Sequence, residues 1–217
     1  MVLALTLAIV PGVGATQYSY SAYVDLPTWV HKRPNEGSKR VARLQTQTFH
    51  GSLEVVMVLR ETLRGGKRWS RVRYAGLGDR RGWVPSRVLS DKMRHEARLV
   101  IDRRRLRITL STRDWLLFSA PIGVGAQGSP TPAGHYYVRE RIVPPSANSI
   151  YGALAFGTSA YSPFRTDWPG GGQVGVHGTN QPQILPGYVS NGCVRLRNRD
   201  VLRLGRMLRV GTPVLVR

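Results

Sequence analysis

One cysteine, Cys193, stands in a chain of 217 residues. No disulfide can close within the chain, so its stability must come from packing, and a zinc cluster built on thiolates is excluded. The five histidines do not fall into a His-Glu-x-x-His spacing, which argues against a metal hydrolase. Acidic residues are also scarce, 12 against 32 Lys plus Arg, and the resulting net charge of +20 favours contact with polyanions. The basic residues are spread through Lys39-Arg40, Arg80-Arg81, Arg103 to Arg105 and Arg195 to Arg209 instead of forming one tail, and they read first as a solvated surface. With neither a zinc-finger spacing nor an RNP-like aromatic strand, specific nucleic-acid recognition is not expected. Internal repeats are missing, and no apolar run is long enough for a transmembrane helix.

What is present divides into segments. Met1 to Val10 is a short apolar run broken by Pro11-Gly12 ahead of Val13-Gly14-Ala15, which has the form of a signal-peptide core and cleavage site. The charged region expected before such a core is missing, so residues 1–16 read as a signal peptide, complete or truncated, with a buried first strand as the alternative. Residues 20–90 carry short strand-like runs such as Val41 to Leu44, Leu53 to Leu59 and Trp69 to Tyr74, separated by Gly-rich or polar turns. The segment closes with Gly82-Trp83-Val84-Pro85-Ser86-Arg87-Val88-Leu89. The charged stretch from Asp91 to Arg98 reads as a linker to a second unit over residues 96–217.

That second unit is expected to be mainly β. Arg105 to Leu110 alternates apolar and polar residues, and Leu99 to Asp102, Trp115 to Ala120 and His135 to Val138 are further strand candidates. Gly123 to Gly134 is expected to be a loop; it lacks the Gly-Lys-Ser/Thr ending and following helix of a phosphate cradle. One helix is expected from Asn198, capped there, with Asp200 against its dipole, Val201, Leu204 and Leu208 on one face, and Gly211 at its end.

A thiol becomes a useful nucleophile only when a base or positive charge assists its ionisation. His177 is the outstanding partner, because it ends the apolar run Val174-Gly175-Val176 and precedes Gly178-Thr179-Asn180. Ser190-Asn191-Gly192-Cys193-Val194-Arg195-Leu196 follows. Gly192 allows close backbone approach, and the amides of Gly192 and Cys193 could face a developing oxyanion. Taken alone, Cys193 could equally be a small buried hydrophobe and His177 a structural residue.

The whole string, His177-Gly178-Thr179 and then Ser190-x-Gly192-Cys193-x-Arg195-Leu196, resembles the YkuD family, the L,D-transpeptidase catalytic domain. Ser129-Pro130-Thr131-Pro132-Ala133-Gly134 resembles the turn such domains carry before a strand, and Trp83 to Leu89 resembles the end of bacterial SH3-like domains. The implied fold is a β-rich sandwich with one late helix behind a small SH3-like β-barrel. The implied site has Cys193 as acylated nucleophile, His177 as general base and the Gly178 carbonyl orienting the imidazole. Arg195 would bind a substrate carboxylate or brace the loop through hydrogen bonds, and Ser190, Asn191 and Tyr151 join it as substrate-binding candidates. Asn191 departs from the histidine that many members carry before Gly-Cys. The implied activity is cross-linking of peptidoglycan stem peptides outside the cytoplasm, without metal or cofactor, and anionic wall polymers are compatible partners. L,D-carboxypeptidase action at the same site and non-catalytic peptidoglycan binding are the alternatives. The loop from Val143 to Pro169 would be either a lid or a packed surface loop.

Overall fold

The computed structural model describes residues 18–164 and 171–217. The signal-peptide reading of residues 1–16, and residues 165–169 of the lid candidate, lie outside that range.

Seven strands form the first sheet: β1 (Ser19–Tyr23), β2 (Thr28–His31), β3 (Arg40–Leu44), β4 (Val55–Arg64), β5 (Lys67–Arg73), β6 (Arg81–Pro85) and β7 (Met93–His95). Their order across the sheet is β3-β2-β6-β5-β4-β1-β7. Gly65 and Gly66, both in the left-handed region at φ 53° and 71°, make the two-residue turn between β4 and β5. Val30, Val56, Val72 and Val84 meet inside, because alternate residues of a strand share one face. The charged stretch read as a linker is corrected here: Met93–His95 pairs with β1, and His95 Nε2 lies 2.7 Å from Ser21 Oγ, so the segment completes the first sheet.

The second unit is a ten-stranded sheet made of β8 (Arg98–Asp102), β9 (Arg107–Ser111), β10 (Leu116–Pro121), β11 (Gly123–Gly125), β12 (Gly134–Ile142), β13 (Ala155–Tyr161), β14 (Gln173–His177), β15 (Gly187–Ser190), β16 (Val194–Arg195) and β17 (Pro213–Val216). The order is β10-β9-β8-β17-β12-β13-β14-β16-β11-β15. Ile108 and Leu110 of β9 share a core with Val174 and Val176 of β14 and Val194 of β16, strands far apart in that order. The sheet therefore curls over its own apolar face, and the mainly β class expected from the sequence holds. Gly123–Gly125 is a strand and not the start of a loop; residues 126–133 alone form the turn, pinned by Gly125 N donating to Thr131 Oγ1 at 2.9 Å.

Among the described residues the one α-helix is α1 (Asn198–Gly205), which buries Val201 and Leu204 against the sheet. Two details differ from expectation. The helix stops at Gly205, six residues before Gly211, and Asn198 does not cap it; Arg197 holds the cap position without a side-chain hydrogen bond, while Asp200 lies in the first turn as expected. The Asn198 side chain is engaged elsewhere, as described below. No helix among the described residues is long and apolar enough to cross a membrane.

The two units touch through β4 and β12. Val55, Met57 and Tyr137 pack together, and Arg139 donates from Nε to Glu54 Oε1 at 2.8 Å and from Nη2 to Glu54 Oε2. Burial disfavours the Arg139 charge, but the Glu54 carboxylate outweighs it and holds the guanidinium above its ordinary pKa. Removing one partner of a buried pair leaves the other charge uncompensated, at a cost of about 3–5 kcal/mol. Glu54→Ala is expected to lower the unfolding free energy by that order in urea titrations, whereas Glu36→Ala, which breaks an exposed pair with Lys67, should leave the urea midpoint nearly unchanged.

Candidate active site

β14 and β16 run parallel, with Val176 opposite Val194 and His177 opposite Arg195. Cys193 immediately precedes β16, so the pairing that aligns the strands also carries the thiol to His177. Gly175 lies two residues before His177 and hence on the same face of β14. Its amide N is 3.4 Å from Cys193 Sγ. A Cβ on Gly175 would stand 3.5 Å from His177 Cδ2 and 3.9 Å from Sγ, so the missing side chain leaves open the space beside thiol and imidazole.

His177 is buried and its Nδ1 lies 2.6 Å from the Gly178 carbonyl. A carbonyl only accepts, so Nδ1 carries the proton and Nε2 is left with a lone pair in the neutral ring. Burial pushes the imidazole pKa down to about 4, against the Gly178 hydrogen bond and with help from the Arg195 charge. Burial likewise raises the Cys193 thiol, against the Gly175 amide and the Arg195 charge. At neutral pH the two are thus an uncharged thiol and an uncharged imidazole.

A cavity of about 530 Å³ opens in front of this pair. Cys193, His177, Arg195, Ser190, Asn191 and Tyr151 all line it. Tyr151 sets its ring edge-on to His177 with centroids 5.2 Å apart. Pro144, Pro145 and Ile150 make the same wall, so the first part of the lid candidate borders the cavity. Arg195 Nε is buried and has no hydrogen-bond partner among the described residues.

Gly178 and Gly192 stand behind the lining residues. Gly192 has φ 113°, a conformation glycine alone adopts freely. Its amide donates to Ser190 Oγ at 3.1 Å, while Ser190 Oγ donates to the Cys193 carbonyl at 2.6 Å. Ser190 therefore closes the turn, and in the absence of substrate it is the partner of the Gly192 N–H, one of the two expected oxyanion donors.

Asn198, Gly175 and His50 reach the site without having been picked out from the sequence. Asn198 Oδ1 accepts from Ala153 N at 3.0 Å and Thr179 N at 3.2 Å, tying the Tyr151 loop to the His177–Gly178 turn. Gly152, at φ 65°, and Gly178 make room for it, since a Cβ on either would collide with Asn198 Oδ1. The period-two spacing from His177 could have pointed to Gly175, but nothing local points to Asn198 or His50, whose placement depends on chain segments distant in sequence.

Because the unfolded chain takes up the His177 proton near pH 6.5 and the folded chain only near 4, the unfolded state binds more protons between these values. Stability is expected to be full above about pH 6.5 and to fall as pH drops toward 4, by about 3 kcal/mol at 1.36 kcal/mol per unit. Urea unfolding of wild type and His177→Asn across this range should show the acid-side loss shrinking in the variant.

Residues 96–216 match the family model of the YkuD L,D-transpeptidase catalytic domain. The relative named YkuD from Bacillus licheniformis is 32% identical over 133 residues, covering 61% of this chain and 72% of its own length. The YkuD of Bacillus subtilis is 31% identical over 109 residues, covering 50% of this chain, and the chain spans only 58% of that relative. An L,D-transpeptidase crystal structure from Mycobacterium tuberculosis aligns with a TM-score of 0.48 at 16% identity, over 90% of this chain and 99% of that one. The family match extends over more than half of the sequence and takes in Cys193, His177 and the turn between them, and on that ground the chain belongs to the YkuD family of L,D-transpeptidase catalytic domains.

Proposed function

We propose that this protein is a cysteine-dependent L,D-transpeptidase that cross-links peptidoglycan stem peptides outside the cytoplasmic membrane, with Cys193 as nucleophile and His177 as base. The observation that carries the reading is the placement of Cys193 and His177 on either side of Gly175, facing a cavity large enough for a peptide segment.

In the first step His177 Nε2 takes the Sγ proton as sulfur attacks the carbonyl of the third residue of a donor stem. Because the resting pair is neutral, proton transfer accompanies the attack and does not precede it. The carbonyl oxygen gains charge and the amide of Cys193, adjacent to the attacking atom, is its donor. Collapse breaks the C–N bond, and His177 returns the proton to the departing D-Ala amine. The carboxylate of that D-Ala is the anion suited to Arg195, a cation in the lining of the cavity. In the second step the side-chain amine of a neighbouring stem forms a C–N bond to the thioester carbonyl as the C–S bond breaks, and His177 passes the amine proton back to sulfur. Water attacking in its place gives L,D-carboxypeptidase action from the same acyl-enzyme. The Tyr151 ring and the Gly178 carbonyl hold the imidazole for both steps, and the Asn198 hydrogen bonds fix the two loops that carry them. In the first unit Trp83 on β6, followed by the single turn Ser86–Val88, supports its reading as an SH3-like module.

Intact-protein mass spectrometry after incubation with a carbapenem tests the nucleophile and base. One adduct is expected on wild type, none on Cys193→Ala, and formation slowed about 10²–10⁴-fold in His177→Ala. A folded wild type without adduct would overturn the proposal. Arg195→Gln is expected to reduce kcat/KM on a tetrapeptide donor about 10- to 100-fold through loss of a charge-assisted contact of about 1.5–3 kcal/mol, and to matter less for a donor amidated at its terminal carboxyl group.

A further inference from the structure

The cavity in front of Cys193 is not built by the catalytic domain alone: His50, from the loop between β3 and β4 of the first unit, lines it. That loop has a fixed shape. Thr48 N donates to Ser52 O at 2.8 Å, Gly51 N to Thr48 O at 3.1 Å, and Gly51 takes φ 78°. Its anchor is Glu140 on β12, a carboxylate only 1% exposed. Thr48 Oγ1 donates to Glu140 Oε2 at 2.7 Å, and His50 Nδ1 lies 3.2 Å from Oε1. A carboxylate accepts, so Nδ1 of His50 carries a proton toward Glu140 and Nε2 is on the far edge of the ring.

The carboxylate also sits directly beneath the cavity. Gly157 is a lining residue, and a Cβ on it would stand 2.6 Å from Gln173 Nε2 and 2.7 Å from Glu140 Oε1, so the carboxylate lies close behind the lining there. No Asp or Glu is itself among the described lining residues. Glu140, acting through His50, therefore brings negative charge to the described lining of this cavity, to which Arg195 contributes a cation. Beside His50, Phe49 is 71% exposed with its ring edge-on at a centroid distance of 5.3 Å, an apolar surface continuing from the imidazole.

The two polar ends differ in sign, and the proposed reaction needs one group of each sign. A donor stem ends in a carboxylate, whereas an acceptor presents a primary amine on an aliphatic arm. From this geometry we infer that the Glu140–His50 pair is the receiving site for the acceptor amine, so that the first unit supplies part of the acceptor subsite. The amine binds at His50 and its methylenes lie on Phe49; His177 remains the base. The inference rests on the transpeptidase reading above.

The test measures the fate of one acyl-enzyme. Full-length wild type and His50→Ala are given a tetrapeptide donor with either a diamino-acid stem as acceptor or hydroxylamine, a small nucleophile that is neutral at pH 7, and products are counted by mass spectrometry. His50→Ala is expected to reduce transfer to the stem amine, relative to transfer to hydroxylamine, on the order of tenfold, the effect of a contact near 1.4 kcal/mol. Equal losses for both nucleophiles would show a merely structural effect and overturn the inference, as would an unchanged ratio. A wild type that is acylated but transfers to no amine stem overturns the inference and leaves the acylation reading standing. A wild type that is never acylated removes the transpeptidase reading itself.

Discussion

Two residues of parallel pairing, Val176 opposite Val194 and His177 opposite Arg195, set the geometry of the entire site. Parallel strands cannot be joined by a tight turn, so the chain between them runs through residues 178–193, including β15 at the edge of the sheet, before β16 pairs with β14. Tyr188 and Ser190 on that excursion pair with Val124 and Gly125 of β11, which gives it a second line of hydrogen bonds. Cys193 thereby arrives at the one point where its sulfur meets the Gly175 amide and faces the His177 side of β14. The buried valines of both strands belong to the main core, so moving the thiol relative to the imidazole would require repacking Val176 and Val194.

The same burial that fixes the imidazole also decides its charge. A solvated histidine beside a thiol could share a preformed ion pair; desolvation opposes both charged forms here, lowering His177 and raising Cys193. Arg195 pushes in opposite senses on the two, disfavouring imidazolium and favouring thiolate. Orientation is therefore supplied by neutral groups: the Gly178 carbonyl, the Tyr151 ring and the two backbone amides held by Asn198. These contacts need glycine at 152 and 178, because the asparagine oxygen occupies the volume their side chains would fill.

Contact between the units is polar as well as apolar. Arg139 and Glu140 are neighbours on β12, at its register shift against β13, and both reach the segment between β3 and β4, Arg139 at Glu54 and Glu140 at Thr48 and His50. The first unit is thus tied to the catalytic domain along the strand that passes beneath the cavity. An otherwise basic chain carries one of its few carboxylates, Glu140, to a position close behind the lining of that cavity.

The sequence by itself determined the mainly β class, the late helix with Val201 and Leu204 inward, and the nucleophile and base candidates, because period-two and helical patterns are local and the Cys193 and His177 motifs are contiguous strings. It misassigned Asn198 as a helix cap, since the residue type fits a cap equally well and only the approach of residues 153 and 179 shows what its amide binds. It read Met93–His95 as linker because three residues carry too little pattern to reveal a pairing with β1, distant in sequence. The engagement of the Gly192 amide by Ser190, the unpartnered Arg195 nitrogen and the arrival of His50 beside the cavity were decided by tertiary structure alone. Each depends on the distance between groups that neither pattern nor composition encodes, and that distance is set when the curled sheet closes and the first unit docks on β12.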